Sequence, residues 1–292
     1  MSLKNRIILY MLKRGIFHKM SDVEIIKRMY HISLHNELDL DNPTTFSEKI
    51  QWLKLNDRKP IYTVMVDKYS VKKYVSSIIG KKHIIPTLGV WNNFTDIDFD
   101  SLPNQFVLKC THDSGSYIIV KDKTEFDKKS AKKKLEKGLK RNYYFVGREW
   151  PYKNVKPRII AEPLLNDGSE QLNDYKIYCF NGIPKYCQVI GNRSKDITID
   201  FFDLDWRHQP FIGLNPLSRN SIVEIQRPRY LELMIKFSGM LSKDTYFCRI
   251  DFYEVNNKLY FGEITFYPLS GFGFFRPSEW NTIIGNLIEL PM

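Results

Sequence analysis

The chain has 292 residues, of which 43% are hydrophobic and 14% aromatic, enough for a substantial buried core and too apolar for a disordered segment. A formal net charge of +11 favours acidic partners: nucleotides, anionic sugars, nucleic acid or an anionic membrane surface. Cys110, Cys179, Cys187 and Cys248 lie in apolar runs with neither CxxC nor metal-ligand spacing. That excludes a disulfide framework or zinc site and predicts buried thiols in a reducing, cytoplasmic setting.

The apolar run Ile7 to Leu12 is closed at once by Lys13 and Arg14, too short and wrongly flanked for a signal peptide or a membrane span. Residues 4–20 read as a short basic amphipathic helix docked on the protein's own core, with peripheral attachment to the inner face of a membrane as the alternative. Asp22 can cap a helix through Tyr30, and Asn42-Pro43 breaks the chain. Thr45 caps Phe46 to Leu55, with Glu48 completing a capping box. A third helix is predicted over Tyr62 to Ile79, ending at Gly80.

From Ile84 the pattern changes to short β-rich runs punctuated by Pro and Gly: Gln105 to Cys110, Tyr117 to Lys121, Arg158 to Leu165, Asp174 to Phe180 and Lys185 to Ile190. Among them, Asp127 to Arg141 carries eight basic residues around Ala131, Leu135 and Leu139 at helical spacing, which reads as a solvated helix face. Asn181-Gly182 between alternating runs is a two-residue hairpin signal, and Arg229 to Leu241 is a further helix. The order predicts an α+β chain: a helical region over 1–80, a small lobe over 81–160 and a larger antiparallel lobe over 161–292, with a ligand cleft between the lobes.

The last hairpin, Phe247 to Tyr253 and Lys258 to Phe266 around Asn256-Asn257, carries two carboxylates, Asp251 and Glu263. A three-residue loop over 256–258 sets Asp251 opposite Glu263 and Arg249 opposite Thr265. A two-residue loop puts the acids on opposite faces unless a bulge intervenes. At about 5 Å and an effective dielectric near 20 the two acids repel by roughly 3 kcal/mol. The site must therefore raise one pKa, lean on Arg249 or hold a hard divalent cation such as magnesium.

Lys109 ends an apolar strand before the small polar loop Thr111 to Ser116, where backbone N–H groups and hydroxyls could close over phosphate oxygens. There is no GxxxxGK[ST] or GxGxxG motif. Glu162-Pro163-Leu164-Leu165 is a strand running into a bend that could present main-chain groups to an adenine edge. Asp174 and Lys176 alternate onto one strand face.

These features together resemble the ATP-grasp superfamily: Lys68 after Asp67, Lys109 before a small-residue loop, Glu162 to Leu165, Asp174, Arg249-x-Asp251 and Glu263-x-Thr265. Four stretches are similar, more narrowly, to its TupA-like branch, which is associated with teichuronopeptide and other surface-polysaccharide (capsule) biosynthesis. They are Asn42 to Lys54, Leu108 to Gly115, Asp174 to Lys176 and Gly262 to Pro268. The resemblance implies an ATP-grasp fold with ATP between two α+β lobes. The implied reaction is carboxylate–amine ligation, forming an amide C–N bond through an acyl phosphate.

On this resemblance Lys68 and Lys109 would contact ATP phosphates, with Ser114, Gly115 and Ser116 closing over them. Glu162, Pro163, Leu164 and Leu165 would hold adenine and Asp174 the ribose hydroxyls, while Lys176 belongs to the branch pattern without a stated role. Asp251, Glu263 and Thr265 would bind two magnesium ions, although Thr265 stands where many relatives have asparagine. Arg249 would act with Lys109 in catalysis by stabilising the transferring phosphoryl group. The implied partners are ATP, an anionic sugar or glycan precursor such as a uronic acid, and an amino acid or amine. Ser270, Gly271 and Gly273 are candidates for the acceptor pocket.

The competing enzyme reading is a glycosyltransferase using a nucleotide sugar, with Asp203-x-Asp205 as its metal motif. A βαβ half should precede such a motif, whereas hairpin strands do. A polyanion-binding scaffold is the non-enzyme reading, but no RNP-like or zinc pattern supports nucleic acid as a partner. His31 and His35 lack a third metal ligand and read as helix-surface residues.

Overall fold

The computed structural model of the chain describes residues 3–17, 19–166, 168, 172–191, 197–215 and 217–291. Helix α1 (Leu3–Lys13) buries Leu9 and Leu12 against Ile25 and Met29 of α2 (Asp22–Leu34). Among the described residues no helix is long and apolar enough to cross a membrane. Ser21, one residue before the predicted cap, opens α2, and Thr45 opens α3 (Phe46–Asn56). Each forms a reciprocal capping box with the glutamate three positions on, Glu24 and Glu48.

The predicted third helix is two. Between α4 (Ile61–Val66) and α5 (Ser70–Ile79) the chain turns extended at Asp67, with φ −76° and ψ 112°. The reason is chemical: the Asp67 carboxylate takes the Tyr69 N–H at 3.2 Å, the Ser70 hydroxyl at 2.6 Å and the Arg158 guanidinium. A short acid that bonds local backbone competes with the helix ladder. The break frees the Lys68 N–H to donate to the Thr111 carbonyl at 3.0 Å.

Strands β1 (Gly89–Trp91), β2 (Phe106–Cys110), β3 (Tyr117–Val120) and β4 (Ile159–Pro163) form an antiparallel sheet ordered β1-β4-β2-β3. Between β3 and β4 come α6 (Lys128–Leu139) and α7 (Tyr144–Gly147). Phe106, Leu108, Cys110, Ile159 and Ala161 pack with Ala131 and Leu135 of α6, so the Lys-rich surface of α6 is its solvent side. Alternation then turns Lys109 and Glu162 to the opposite face of the sheet.

The larger sheet, ordered β7-β6-β5-β8-β9, contains β5 (Asp174–Phe180), β6 (Ile183–Gly191), β7 (Thr198–Phe202), β8 (Phe247–Val255) and β9 (Lys258–Thr265), all antiparallel. Asn181 and Gly182 take the positive φ values, 48° and 79°, that the tight β5–β6 turn requires. Helix α8 (Leu231–Ser242) supplies Leu231, Met234, Phe237 and Leu241 to the principal core, which also holds Ile177, Cys179, Cys187, Cys248 and Ile250. All four cysteines are free and buried. Helix α9 (Trp280–Gly285) packs beside α3.

The β8–β9 hairpin settles the register. Val255 pairs with Lys258 around Asn256 and Asn257, both at positive φ, so the loop has two residues. The acids nonetheless share a face, because pairing slips from Phe252↔Phe261 to Ile250↔Ile264. Asp251 thus opposes both Gly262 and Glu263 in a bulge, and beyond it Arg249 pairs with Thr265. A Cβ on Gly262 would lie 3.0 Å from the Tyr253 ring and 3.1 Å from the Asp251 carbonyl oxygen, and that backbone atom cannot swing aside. Gly262→Ala should cost about 1–3 kcal/mol, measured as a lower denaturant midpoint at unchanged slope. An unshifted midpoint would show that the bulge has room for a methyl group.

Candidate active site

Six predicted residues on β5, β8 and β9 fall into one hydrogen-bonded cluster. Arg249 donates from Nε to Asp251 Oδ1 at 2.7 Å and from Nη2 to Asp251 Oδ2 at 2.8 Å. The same Nη2 reaches Glu263 Oε1 and Thr265 Oγ1, both at 3.2 Å, and the Thr265 hydroxyl donates to Glu263 Oε1 at 3.2 Å. Register places Lys176 beside Asp251, and its ammonium bridges Asp251 and Asp174, the latter at 2.7 Å. Lys176, whose role the sequence left open, is the counter-ion of two buried acids.

The two carboxylates of the hairpin are driven apart in acidity. Asp251 is 1% exposed, and burial raises its pKa despite the downward pull of Arg249 and Lys176. At Glu263, which is only partly buried, the loss of water contacts also pushes upward, but Arg249, Lys68 and Lys176 outweigh it and hold the carboxyl at about 2. Burial lowers the Lys68 pKa, and the facing Glu263 charge opposes that shift. The charges of Lys68, on the α4–α5 break, and Glu263, on β9, therefore act on each other.

On the other sheet, the Glu162 carboxylate receives Lys72 at 2.6 Å and Lys109 at 2.5 Å. Burial pushes Glu162 up, but the two lysines bring it below the usual range. The sequence suggested main-chain contacts for this segment, and the side chain adds a lysine clamp. Lys72 escaped sequence reading because, on a helix, it looks like any solvated lysine. Lys68 donates to the Asp113 carbonyl. The 111–116 loop is held by Asp113, whose Oδ2 accepts from Ser116 Oγ at 2.5 Å and Arg141 Nη2 at 2.7 Å, while Arg141 also donates to the Ser114 carbonyl at 2.8 Å. Gly115 has φ 93° and open space at its Cβ, which suits close approach of a ligand to the backbone. Pro163 closes β4, and Leu164 and Leu165 follow it in the connection to β5.

Asp251, Glu263 and Thr265 offer only oxygen, the donor set of a hard cation. The Glu263 side chain is 46% exposed and its Oε2 takes no hydrogen bond among the described residues, so it is open to a metal ion. A divalent ion reaching Asp251 would displace part of its Lys176 or Arg249 pairing. Among the described residues no three or more His, Cys, Asp or Glu side chains converge. The residues thus fit magnesium held by two carboxylates and completed by phosphate oxygens and water.

Other motifs are otherwise engaged. Asp203 Oδ1 accepts the N–H groups of Asp205 and Arg207 at 3.0 and 2.8 Å, and Arg207 pairs with both acids, a solvated turn. His31 pairs with Glu37. Gly271 is buried against Ile50 and Gln51, and Gly273 against Leu214, while Ser270 turns its hydroxyl toward Glu149.

A family profile described as TupA-like ATPgrasp matches residues 48–289. The chain belongs to the TupA-like ATP-grasp family. Its two antiparallel sheets with flanking helices are the α+β ATP-grasp fold. Similar solved structures include D-alanine–D-alanine ligase from Bacillus anthracis, with TM-score 0.41 and 17% identity over 69% of this chain and 57% of that one. The Helicobacter pylori D-alanine–D-alanine ligase has TM-score 0.42 and 18% identity over 84% and 69%. D-alanyl-alanine synthetase A from Vibrio cholerae has TM-score 0.44 and 11% identity over 83% and 62%. This TupA-like chain thus spans 57% to 69% of the length of these three. No curated protein matches it.

Two measurements test the cluster. Lys176→Met removes the ammonium that lies between the buried Asp174 and Asp251 and should destabilise the protein by about 3–5 kcal/mol in chemical denaturation; a loss below about 1 kcal/mol would show that the bridge is dispensable. Glu263 is depressed from 4.5 to about 2, so its stabilising contribution is complete above about pH 4.5 and lost as pH falls towards 2. The stability difference between wild type and Glu263→Gln should shrink over that window, and a difference flat with pH would contradict the assignment.

Proposed function

We propose that this protein is an ATP-dependent carboxylate–amine ligase that activates its substrate as an acyl phosphate. The observation that carries the proposal is the hydrogen-bonded cluster of Arg249, Asp251, Glu263 and Thr265, in which Glu263 also feels the Lys68 charge. That constellation is what phosphoryl transfer needs, which is positioning and charge neutralisation more than covalent chemistry.

In this reading Lys68 and Lys109 bind phosphate oxygens, Lys109 exchanging part of its Glu162 pairing for ATP. Ser114, Gly115 and Ser116 close over the phosphates, Glu162 to Leu165 flank the adenine, and Asp174 takes the ribose hydroxyls next to Lys176. Asp251, Glu263 and Thr265 would hold magnesium, one ion or two, which neutralises phosphate charge. Arg249 stabilises the transferring phosphoryl group. A substrate carboxylate oxygen attacks the γ-phosphorus, ADP leaves, and an amine then displaces phosphate from the acyl carbon. Water must be kept out until the amine arrives, a role suited to the 111–116 loop.

The substrate class is an anionic sugar or glycan precursor, a uronic acid being the simplest, joined to an amino acid or amine in surface-polysaccharide assembly. Family membership and the net charge of +11 support it. Uronic acids paired with amino acids should give magnesium-dependent ADP and phosphate release, with hydroxylamine intercepting the activated acyl group as a hydroxamate. Asp251→Asn should lower hydroxamate formation by about 100-fold or more while remaining folded by circular dichroism. A folded D251N protein with undiminished turnover would refute the metal-carboxylate role. Sugar-nucleotide turnover without ATP would replace the ligase by a transferase.

A further inference from the structure

Outside the nucleotide cluster, three chain segments converge on one buried acid. Glu149 follows α7 and is 5% exposed; its Oε1 accepts the Ser270 hydroxyl at 2.6 Å. Ser270 lies five residues past Thr265, in a turn where it and Leu269 hold positive φ values of 54° and 49°. Lys54 of α3, 0% exposed, locks the arrangement by donating to the Ser270 carbonyl at 2.5 Å and the Gly147 carbonyl at 2.7 Å. Gly147 leaves the space: a Cβ there would sit 2.4 Å from Ser270 Oγ.

Through Ser270 the acid is tied to the turn that follows Thr265 at the end of β9. The Glu263 charge acts on Glu149, and both act on the Tyr152 hydroxyl, to which Tyr143 and Arg249 also contribute. Among the described residues Glu149 Oε2 takes no hydrogen bond, and it is not among the buried polar atoms sealed without a partner. One carboxylate oxygen is thus anchored while the other is left to meet a ligand.

We propose that Glu149 is the catalytic residue that receives the attacking amine and takes its proton, with Ser270 and Lys54 as positioning residues. This role rests on the ligase reading above. The amine nitrogen forms a bond to the acyl carbon, the carbon–oxygen bond to phosphate breaks, and phosphate leaves with the electron pair. The arriving ammonium first gives one proton to Glu149 Oε2, which frees the nitrogen lone pair for attack, and the second N–H proton leaves with the departing phosphate. A general base works best when its pKa lies near the working pH. Burial moves Glu149 in that direction, tempered by Lys54 and the Ser270 bond and reinforced by Glu263. The ligand class is therefore a primary amine that arrives as an ammonium ion, attracted by a carboxylate.

The test separates the two half-reactions. With glucuronic acid or whichever uronic acid gives wild-type hydroxamate, the wild type and Glu149→Gln are compared using hydroxylamine and using the amino acid that gives amide. Hydroxylamine is already uncharged at neutral pH and needs no base. E149Q should lower amide formation by about 100-fold or more while hydroxamate formation falls far less. Ser270→Ala, which keeps the acid but frees it, should show the same selectivity in weaker form. Equal loss of both products, or survival of both, overturns the role of Glu149. A wild type that forms no hydroxamate with any uronic acid overturns the ligase reading, and this role with it.

Discussion

The arrangement depends on one extra residue in β9. Without the bulge that sets Gly262 and Glu263 against Asp251, a two-residue turn would send Glu263 to the face of the sheet that packs on the core, and a charged side chain there would be prohibitively costly. With it, Arg249, Asp251, Glu263 and Thr265 occupy one face. The bulge needs a small residue where the chains approach most closely, and glycine supplies it.

Gathering acids on one face creates an electrostatic problem that the surrounding lysines resolve. Asp251 and Asp174 are buried together, tolerable only because Lys176 lies between them and Arg249 grips Asp251 through two bonds. Glu162 performs the reciprocal service for Lys72 and Lys109. Each side of the cleft is thus internally compensated, and Glu263, the most open of these carboxylates, is left to face Lys68. A polyphosphate entering with a divalent ion would bring both signs of charge at once, so it could exchange with these pairs without leaving either side unbalanced.

Much of this was legible in the sequence, and the failures have a common physical cause. The strand Asp174 to Phe180, the Asn181-Gly182 turn and the capped helix from Phe46 were readable because their signals are local: alternation, positive-φ residues and a capping box. The helix over Tyr62 to Ile79 was misread because periodicity continues across Asp67, whose competing partner, Arg158, lies 91 residues away. The hairpin loop stayed open between two and three residues, since a bulge and a longer turn produce the same facing of side chains. Lys72 and Glu149 carried no sequence signal, and Lys54 and Arg141 stood out only as members of a family-like stretch and of a basic helix. Each is an ordinary charged residue whose burial is decided by segments distant in the chain.

Helix α3 shows why the region before the two sheets cannot be treated as an appendage. Ser47, Gln51 and Lys54, spaced along one helix face, are buried, where a helix ordinarily presents apolar residues. They meet backbone instead: Ser47 donates to the Gly273 carbonyl, Gln51 to those of Ser270 and Gly271, and Lys54 to that of Ser270. A turn with successive positive φ values cannot satisfy these carbonyls in a regular ladder, and leaving them unpaired in the interior would be costly. Burying Lys54 is itself unfavourable enough to bring its pKa down to about 7, and the contacts offset that cost only while the turn keeps its shape. The helix and the turn therefore stabilise one another, and the conformation of the segment that follows β9 is dictated from 220 residues upstream.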